Sequence, residues 1–256
     1  MDRGTWLGIL LGLALLGLAI GLGPNPRIFV HGASMIVVFG GIIASTFIRF
    51  PFSHVLSALK ISSHAFFSRS HTPRESVMEL VSLSQRARRE GWKGLEKHLP
   101  DDEFLSKGLL MVIDRMPREH IRDVLGQELH ATQDRHSMGQ EIFRFIGGAA
   151  PSFGMVGTLI GMVQLFANLK DPQGIAGAMA LSLLSTLYGA VVAYLFALPI
   201  SGKLEVRSKE ELQIKQLQVE GLLGIAAEMN PSSLEEMLNA HLSPRMKIRR
   251  QTDRDV

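Results

Sequence analysis

Four stretches without a charged residue limit what this chain can fold into. Between Arg3 and Arg27, Arg27 and Arg49, Arg144 and Lys170, and Asp171 and Lys203 lie 23, 21, 25 and 31 uncharged positions. A helix rising about 1.5 Å per residue crosses the roughly 30 Å hydrocarbon core of a bilayer in about 20 residues, and one Lys, Arg or Asp at mid-membrane costs about 2.5–3.5 kcal/mol. Each interval is therefore long enough to span a membrane. Buried helices of a large soluble core are the competing reading, but such helices rarely run this far without a charged face. Composition points the same way: 46% of residues are hydrophobic and 20% charged, with a positive mean hydropathy of +0.17.

The spans are drawn at residues 4–22, 28–48, 145–167 and 175–201. The connections Gly23-Pro24-Asn25-Pro26-Arg27 and Asn168-Leu169-Lys170-Asp171-Pro172-Gln173-Gly174 are short and rich in turn residues, so the spans pair into two hairpins with their tips on one side. Residues 50–147 and 202–256 carry 14 and 9 Lys plus Arg, against one at each tip. The positive-inside bias then puts the long segments and both termini in the cytoplasm. The expected fold class is all-α: a polytopic membrane protein with four transmembrane helices in two hairpins (1–49 and 148–201), a helical cytoplasmic domain (50–147), and cytoplasmic C-terminal helices with a basic tail (202–256). A cleaved signal peptide is not expected at the amino end, because Asp2 sits beside Arg3 and Gly21-Leu22-Gly23-Pro24 offers no clear small-x-small site.

The cytoplasmic segments read as helices. Thr72-Pro73-Arg74-Glu75 combines a capping box with proline at the first helical position, and Val77, Leu80, Val81 and Ala87 follow at helical spacing until Gly91. A second helix is expected from Asp101 to Met116. A third, from Arg118 to Ile146, carries an apolar stripe and is expected to enter the third span without a break. After the fourth span a long helix is expected to stop at Asn230-Pro231, with Ser232 and Glu235 capping a short final one. The basic tail, 245–254, is placed near anionic lipid headgroups.

Several functions lack the residues they need. The chain has no cysteine, which removes disulfides, thiolate metal sites and thiol nucleophiles. It has no Walker loop, no His-Glu-x-x-His, no Gly-x-Ser-x-Gly and no metal-ligand spacing among its histidines, so no enzyme is expected. The charge run 85–97 alternates acids with bases and lacks a recognition motif, so no nucleic acid partner is expected.

The span interiors contain no Asp, Glu, Lys or Arg, although an ion pathway through hydrocarbon needs an ionisable carrier. If the chain conducts ions, a partner brings the carboxylate. Gly4, Gly8, Gly12, Gly17 and Gly21, with Gly157 and Gly161, form small-xxx-small pairs suited to helix packing. Ser182, Ser185, Thr186, Gly189, Ala190, Ala193 and Ala197 fall largely on one stripe of the fourth span, and Ser152, Gly154, Gly157 and Thr158 lie in the third. That stripe suits a second helix bearing an acid; equally, Thr158 and Thr186 would bond back to carbonyls four residues earlier. Pro151 and Pro199, near the inner ends of spans three and four, read either as hinges or as ordinary tolerated membrane prolines.

One resemblance goes beyond periodicity. Ala150-Pro151-Ser152-Phe153-Gly154-Met155-Val156-Gly157-Thr158-Leu159-Ile160-Gly161-Met162-Val163, Leu169-Lys170-Asp171-Pro172, Ala178-Met179-Ala180-Leu181 and Leu184-Ser185-Thr186-Leu187-Tyr188-Gly189-Ala190 resemble the third and fourth spans of the MotA/PomA flagellar stator family. That family belongs to the MotA/TolQ/ExbB proton channel superfamily. The order and lengths of the other segments match it too, whereas ExbB and TolQ, energisers of envelope processes, resemble a three-span plan.

The resemblance implies an inner-membrane, torque-generating subunit: a homopentamer around two MotB/PomB-type partners whose transmembrane helix supplies the ion-binding aspartate. The transported ion is H+ or Na+, with no cofactor, and the ring drives the rotor protein FliG. Carried over by position, Arg88, Arg89 and Glu96 match rotor-contacting charges, Pro151 and Pro199 the functional prolines, and Thr158 and Thr186 threonines that line the ion path of sodium-type members. His31 stands where some sodium-type members have aspartate.

Overall fold

The structure, a computed structural model, describes residues 3–58 and 72–242; the basic tail 245–254 lies outside them. Helices and turns make up the described residues, with no strand among them. The chain divides into two compact units, Met1–Ser68 with His136–Val206, and Arg69–Arg135 with Arg207–Val256.

The first unit opens with α1 (Arg3–Gly21), whose 19 residues cover about 28 Å at the helical rise. Its Leu7, Leu10, Leu11, Leu15 and Leu18 are exposed, as expected of side chains that face lipid rather than a protein core. The expected second span, 28–48, lies within the apolar stretch Pro26–Arg49, but its α-helix begins late. Pro26–Phe29 form a 3-10 turn capped by Asn25, whose side chain accepts from Arg27 N–H, and both Val30 and His31 are extended. Helix α2 (residues 32–49) starts only after His31, because the imidazole Nδ1 accepts the Ser34 N–H at 3.3 Å and acts as the N-cap. It passes through a π turn at Ile36–Gly40 and ends at Arg49, before an extended Phe50 that precedes Pro51.

Helix α5 (Arg118–Ala167) runs 50 residues without a break and carries Pro151 inside it, so the expected continuity into the third span holds. Helix α6 covers residues 172–226: Pro172–Val191, a π turn at Val192–Ala197, then Leu198–Ala226. By length and composition Pro26–Arg49, Arg118–Ala167 and Gly174–Ala226 suffice to cross a membrane, and α1 adds the shorter apolar stretch Leu7–Gly21. Two small cores hold the unit together: Val38, Ile42, Ala150 and Ala193, and Phe50, Val55, Ala58, Ile142, Phe143 and Leu204.

The second unit packs α3 (Pro73–Glu90), α4 (Glu103–Ile113) and α7 (Pro231–Asn239) with the start of α5 and the end of α6 around Val77, Leu80, Leu105, Leu125, Leu222 and Leu234. Local chemistry sets the helix ends. The Thr72 hydroxyl accepts from Glu75 N–H at 3.2 Å while the Glu75 carboxylate accepts from Thr72 N–H at 2.8 Å, the reciprocal pair read from the sequence. Replacing Thr72 by alanine is expected to lower the stability of the protein by about 1 kcal/mol, to be checked by thermal unfolding followed by circular dichroism. The second cytoplasmic helix is shorter than expected because Asp102 caps it, accepting from Phe104 N–H at 3.0 Å, and Arg115 at φ 56 closes it. The cap of the final helix also differs from expectation. Asn230, not Ser232, occupies the N-cap, with its side chain accepting from Ser232 N–H at 3.3 Å and Pro231 following at the first helical position.

Candidate functional site

Within the first unit α5 and α6 approach closely because glycine faces backbone. A Cβ on Gly189 would stand 2.5 Å from the Ala150 carbonyl oxygen, one on Gly161 2.6 Å from that of Ala178, and one on Gly154 3.0 Å from that of Ser185. Such proximity is available only to residues without a side chain. Ser182, Ser185, Gly189, Ala193 and Ala197 are accordingly buried. Most of the small-residue stripe is thus consumed inside the chain and is not left for another helix.

Of Gly8, Gly12, Gly17 and Gly21, the Cβ position of Gly12 meets the Leu195 side chain, whereas those of the other three face open space. The packing role expected of these three is therefore not realised within one chain.

The exception on the α6 stripe is Thr186, which is exposed, beside the half-buried Thr158. Their hydroxyl oxygens lie 2.6 Å apart. Thr158 Oγ1 also lies 3.1 Å from the carbonyls of Gly154 and Ser182, and Thr186 Oγ1 3.4 Å from that of Ser182. The back-bonding reading is therefore realised, and the threonines also meet each other across the two helices. Two hydroxyl protons serve these acceptors, one across the pair and one to a carbonyl, so lone pairs on the exposed Thr186 oxygen remain open to an arriving cation or water. Ser182 braces the pair by donating to the Thr158 carbonyl at 3.0 Å.

The prolines are not equivalent. Pro151 sits in continuous α-helix, whereas Pro199 follows the π turn Val192–Ala197, where Leu198 N–H reaches back to Ala193 O. A proline ring clashes with the carbonyl four residues before it and offers that carbonyl no N–H, and the widened turn accommodates both. Two features behind the threonine pair escaped sequence reasoning. Tyr188 donates to Phe29 O at 2.5 Å and accepts from His31 N–H at 3.1 Å, tying the residues before α2 to α6. His31 serves as a helix cap; histidine lies outside the usual capping residues, so no local signal marks it.

In the second unit Arg88, Arg89 and Glu96 are all exposed. They do not lie on a continuous helix: α3 ends at Glu90, Gly91 takes φ 71 and ψ 179, the turn Trp92–Leu95 follows, and Glu96 opens the 3-10 turn Glu96–His98. The end of α3 beside Gly91, where the sequence closes it, therefore separates Arg88 and Arg89 from Glu96. The buried Leu95 anchors the reversal, and Arg88 Nη2 donates to the Glu228 carbonyl at 3.0 Å.

The profile of the MotA/TolQ/ExbB proton channel family matches residues 96–217. The chain is 38% identical over 242 residues to the uncharacterized protein YtxD of Bacillus subtilis, covering 93% of this chain and 89% of that protein. It is 33% identical over 243 residues to the chemotaxis protein PomA of Vibrio alginolyticus, covering 95% and 96%. The fold superposes on a chain of the flagellar MotAB stator complex from Bacillus subtilis with a TM-score of 0.85 at 27% identity, over 95% of this chain and 97% of the other.

Proposed function

The chain belongs to the MotA/TolQ/ExbB proton channel family, and we propose that it is a torque-generating stator subunit of a bacterial flagellar motor. The full-length likeness to PomA and to the flagellar MotAB stator complex supports this reading. An envelope energiser of the ExbB/TolQ kind would share the ion chemistry, but the full-length likeness is to the chemotaxis protein PomA and to a chain of a flagellar stator complex. The chain is an inner-membrane protein; in our reading the positive-inside bias of its basic segments supports cytoplasmic termini.

The observation that carries the mechanism is the contrast between the Thr158–Thr186 hydroxyl pair and the absence of any carboxylate in the spans. Oxygen ligands without an acid fit a pathway completed by another chain. In our reading, five copies surround two MotB/PomB-type subunits whose helix supplies the aspartate, and H+ or Na+ passes between that acid and Thr186. Each unit charge crossing about 100 mV releases roughly 2.3 kcal/mol, enough to bias a step of the ring against FliG without a nucleotide. Pro199 and its π turn provide a place for α6 to bend between pathway and rotor contact, and Pro151 the corresponding place on α5.

Arg88, Arg89 and Glu96 form the rotor contact in this reading. An exposed charge pair is worth about 0.2–1 kcal/mol, so reversing Arg88 and Glu96 together, which breaks two such contacts, is expected to lower swimming speed about two- to thirty-fold. The amount of protein in the membrane should not change. Wild-type swimming by the double reversal would remove these residues from the rotor contact.

A further inference from the structure

The end of α6 is closed by a Schellman motif: Met229 N–H donates to Gly224 O at 3.0 Å and Glu228 N–H to Ile225 O at 2.9 Å. Glu228 consequently takes φ 54, a left-handed conformation that glycine fills at least cost. Helix α4 ends the same way, with Met116 N–H on Met111 O at 3.1 Å, Arg115 N–H on Val112 O at 3.0 Å and Arg115 at φ 56. A strained residue at a helix end is thus not by itself a functional mark.

What distinguishes Glu228 is the use made of its carbonyl. It accepts the Arg88 Nη2–H at 3.0 Å, from a residue 140 positions away in sequence. Ser84, Ala87, Trp92, Ile225 and Met229 wall a cavity of about 400 Å³ that Arg88 and Glu228 share. An exposed arginine has many rotamers; one guanidinium N–H fixed on a rigid acceptor aims the other four donors of its planar fork.

We propose that Glu228 is a positioning residue for Arg88: its left-handed backbone turns the carbonyl toward α3 and sets where the guanidinium is presented to a partner protein. This rests on the reading of Arg88 as a rotor contact. Because the acceptor is main chain, the property that counts at 228 is the conformation and not the carboxylate. A β-branched residue resists that conformation, whereas asparagine and glycine tolerate it.

The test uses the full-length protein with its MotB-type partner in swimming cells, scored by swimming speed at equal membrane abundance. Glu228→Val is expected to lower speed about two-fold or more, and Glu228→Asn and Glu228→Gly to rescue it. Arg115→Gly, at the equivalent motif without an arginine contact, should leave speed unchanged. In an Arg88→Ala background, Glu228→Val should have no further effect. If Glu228→Val swims like wild type, or costs the same factor with and without Arg88, the positioning role is overturned while the rotor contact stands. If Arg88→Ala alone swims like wild type, the rotor reading of Arg88 fails and the proposal with it.

Discussion

Gly189→Ala is expected to remove most of the protein from the membrane. The added methyl would sit 2.5 Å from the Ala150 carbonyl oxygen and 3.2 Å from Gly154 Cα. Both obstacles are main chain of α5, so no rotamer change relieves them; the helices must separate. Overpacking of this kind costs about 1–3 kcal/mol where side chains can adjust, and more where they cannot, so a loss of about 3 kcal/mol or more is expected. Separation would also pull Ser182 and Ser185 from their places beside Gly161 and Gly157, spreading the damage along the interface.

Gly17→Ala provides the contrast, because nothing of this chain lies within 4 Å of its Cβ position; it should be neutral or gain the helix propensity of alanine, about 1 kcal/mol at most. Membrane abundance and thermal stability in detergent measure both. Equal stability of Gly189→Ala and Gly17→Ala would mean that α5 and α6 are not packed as the structure has them.

The same contrast shows what could be read from residues alone. Charge-free intervals mark membrane helices because a single charge in hydrocarbon outweighs any local preference, and the sequence spans fall on α1, α2, α5 and α6. The Thr72 box was legible because its donor and acceptor are three residues apart. Which glycines face backbone was not legible: Gly17 and Gly189 look alike in sequence, and only the partner helix distinguishes them. Arg88 and Glu96 are legible only in part. The break between them at Gly91, which takes φ 71, was readable from the sequence, but the Glu228 carbonyl that holds Arg88 lies 140 residues away.

Thr158 and Thr186 occupy a middle position. Their placement on α5 and α6 follows from periodicity, but their contact depends on close approach of the two backbones. That contact leads to the second large effect: Thr186→Leu is expected to lower ion conduction by about a hundred-fold or more, equivalent to about 2.7 kcal/mol of added barrier. Leucine fills the exposed side of the pair with methyl groups and removes the oxygen that an ion shedding water would need. Thr186→Val separates the two causes, since it keeps the volume and removes only the hydroxyl. A lost hydrogen bond to a charged group costs about 1.5–3 kcal/mol, so valine should still lose about ten-fold or more, and Thr186→Ser, which keeps the oxygen, should conduct nearly as wild type. Ion flux in vesicles containing the complex with the MotB-type partner reports all three. Flux through Thr186→Leu at the wild-type rate would place the ion path elsewhere, whereas loss in leucine but not in valine would make Thr186 a steric wall of the path and not a ligand.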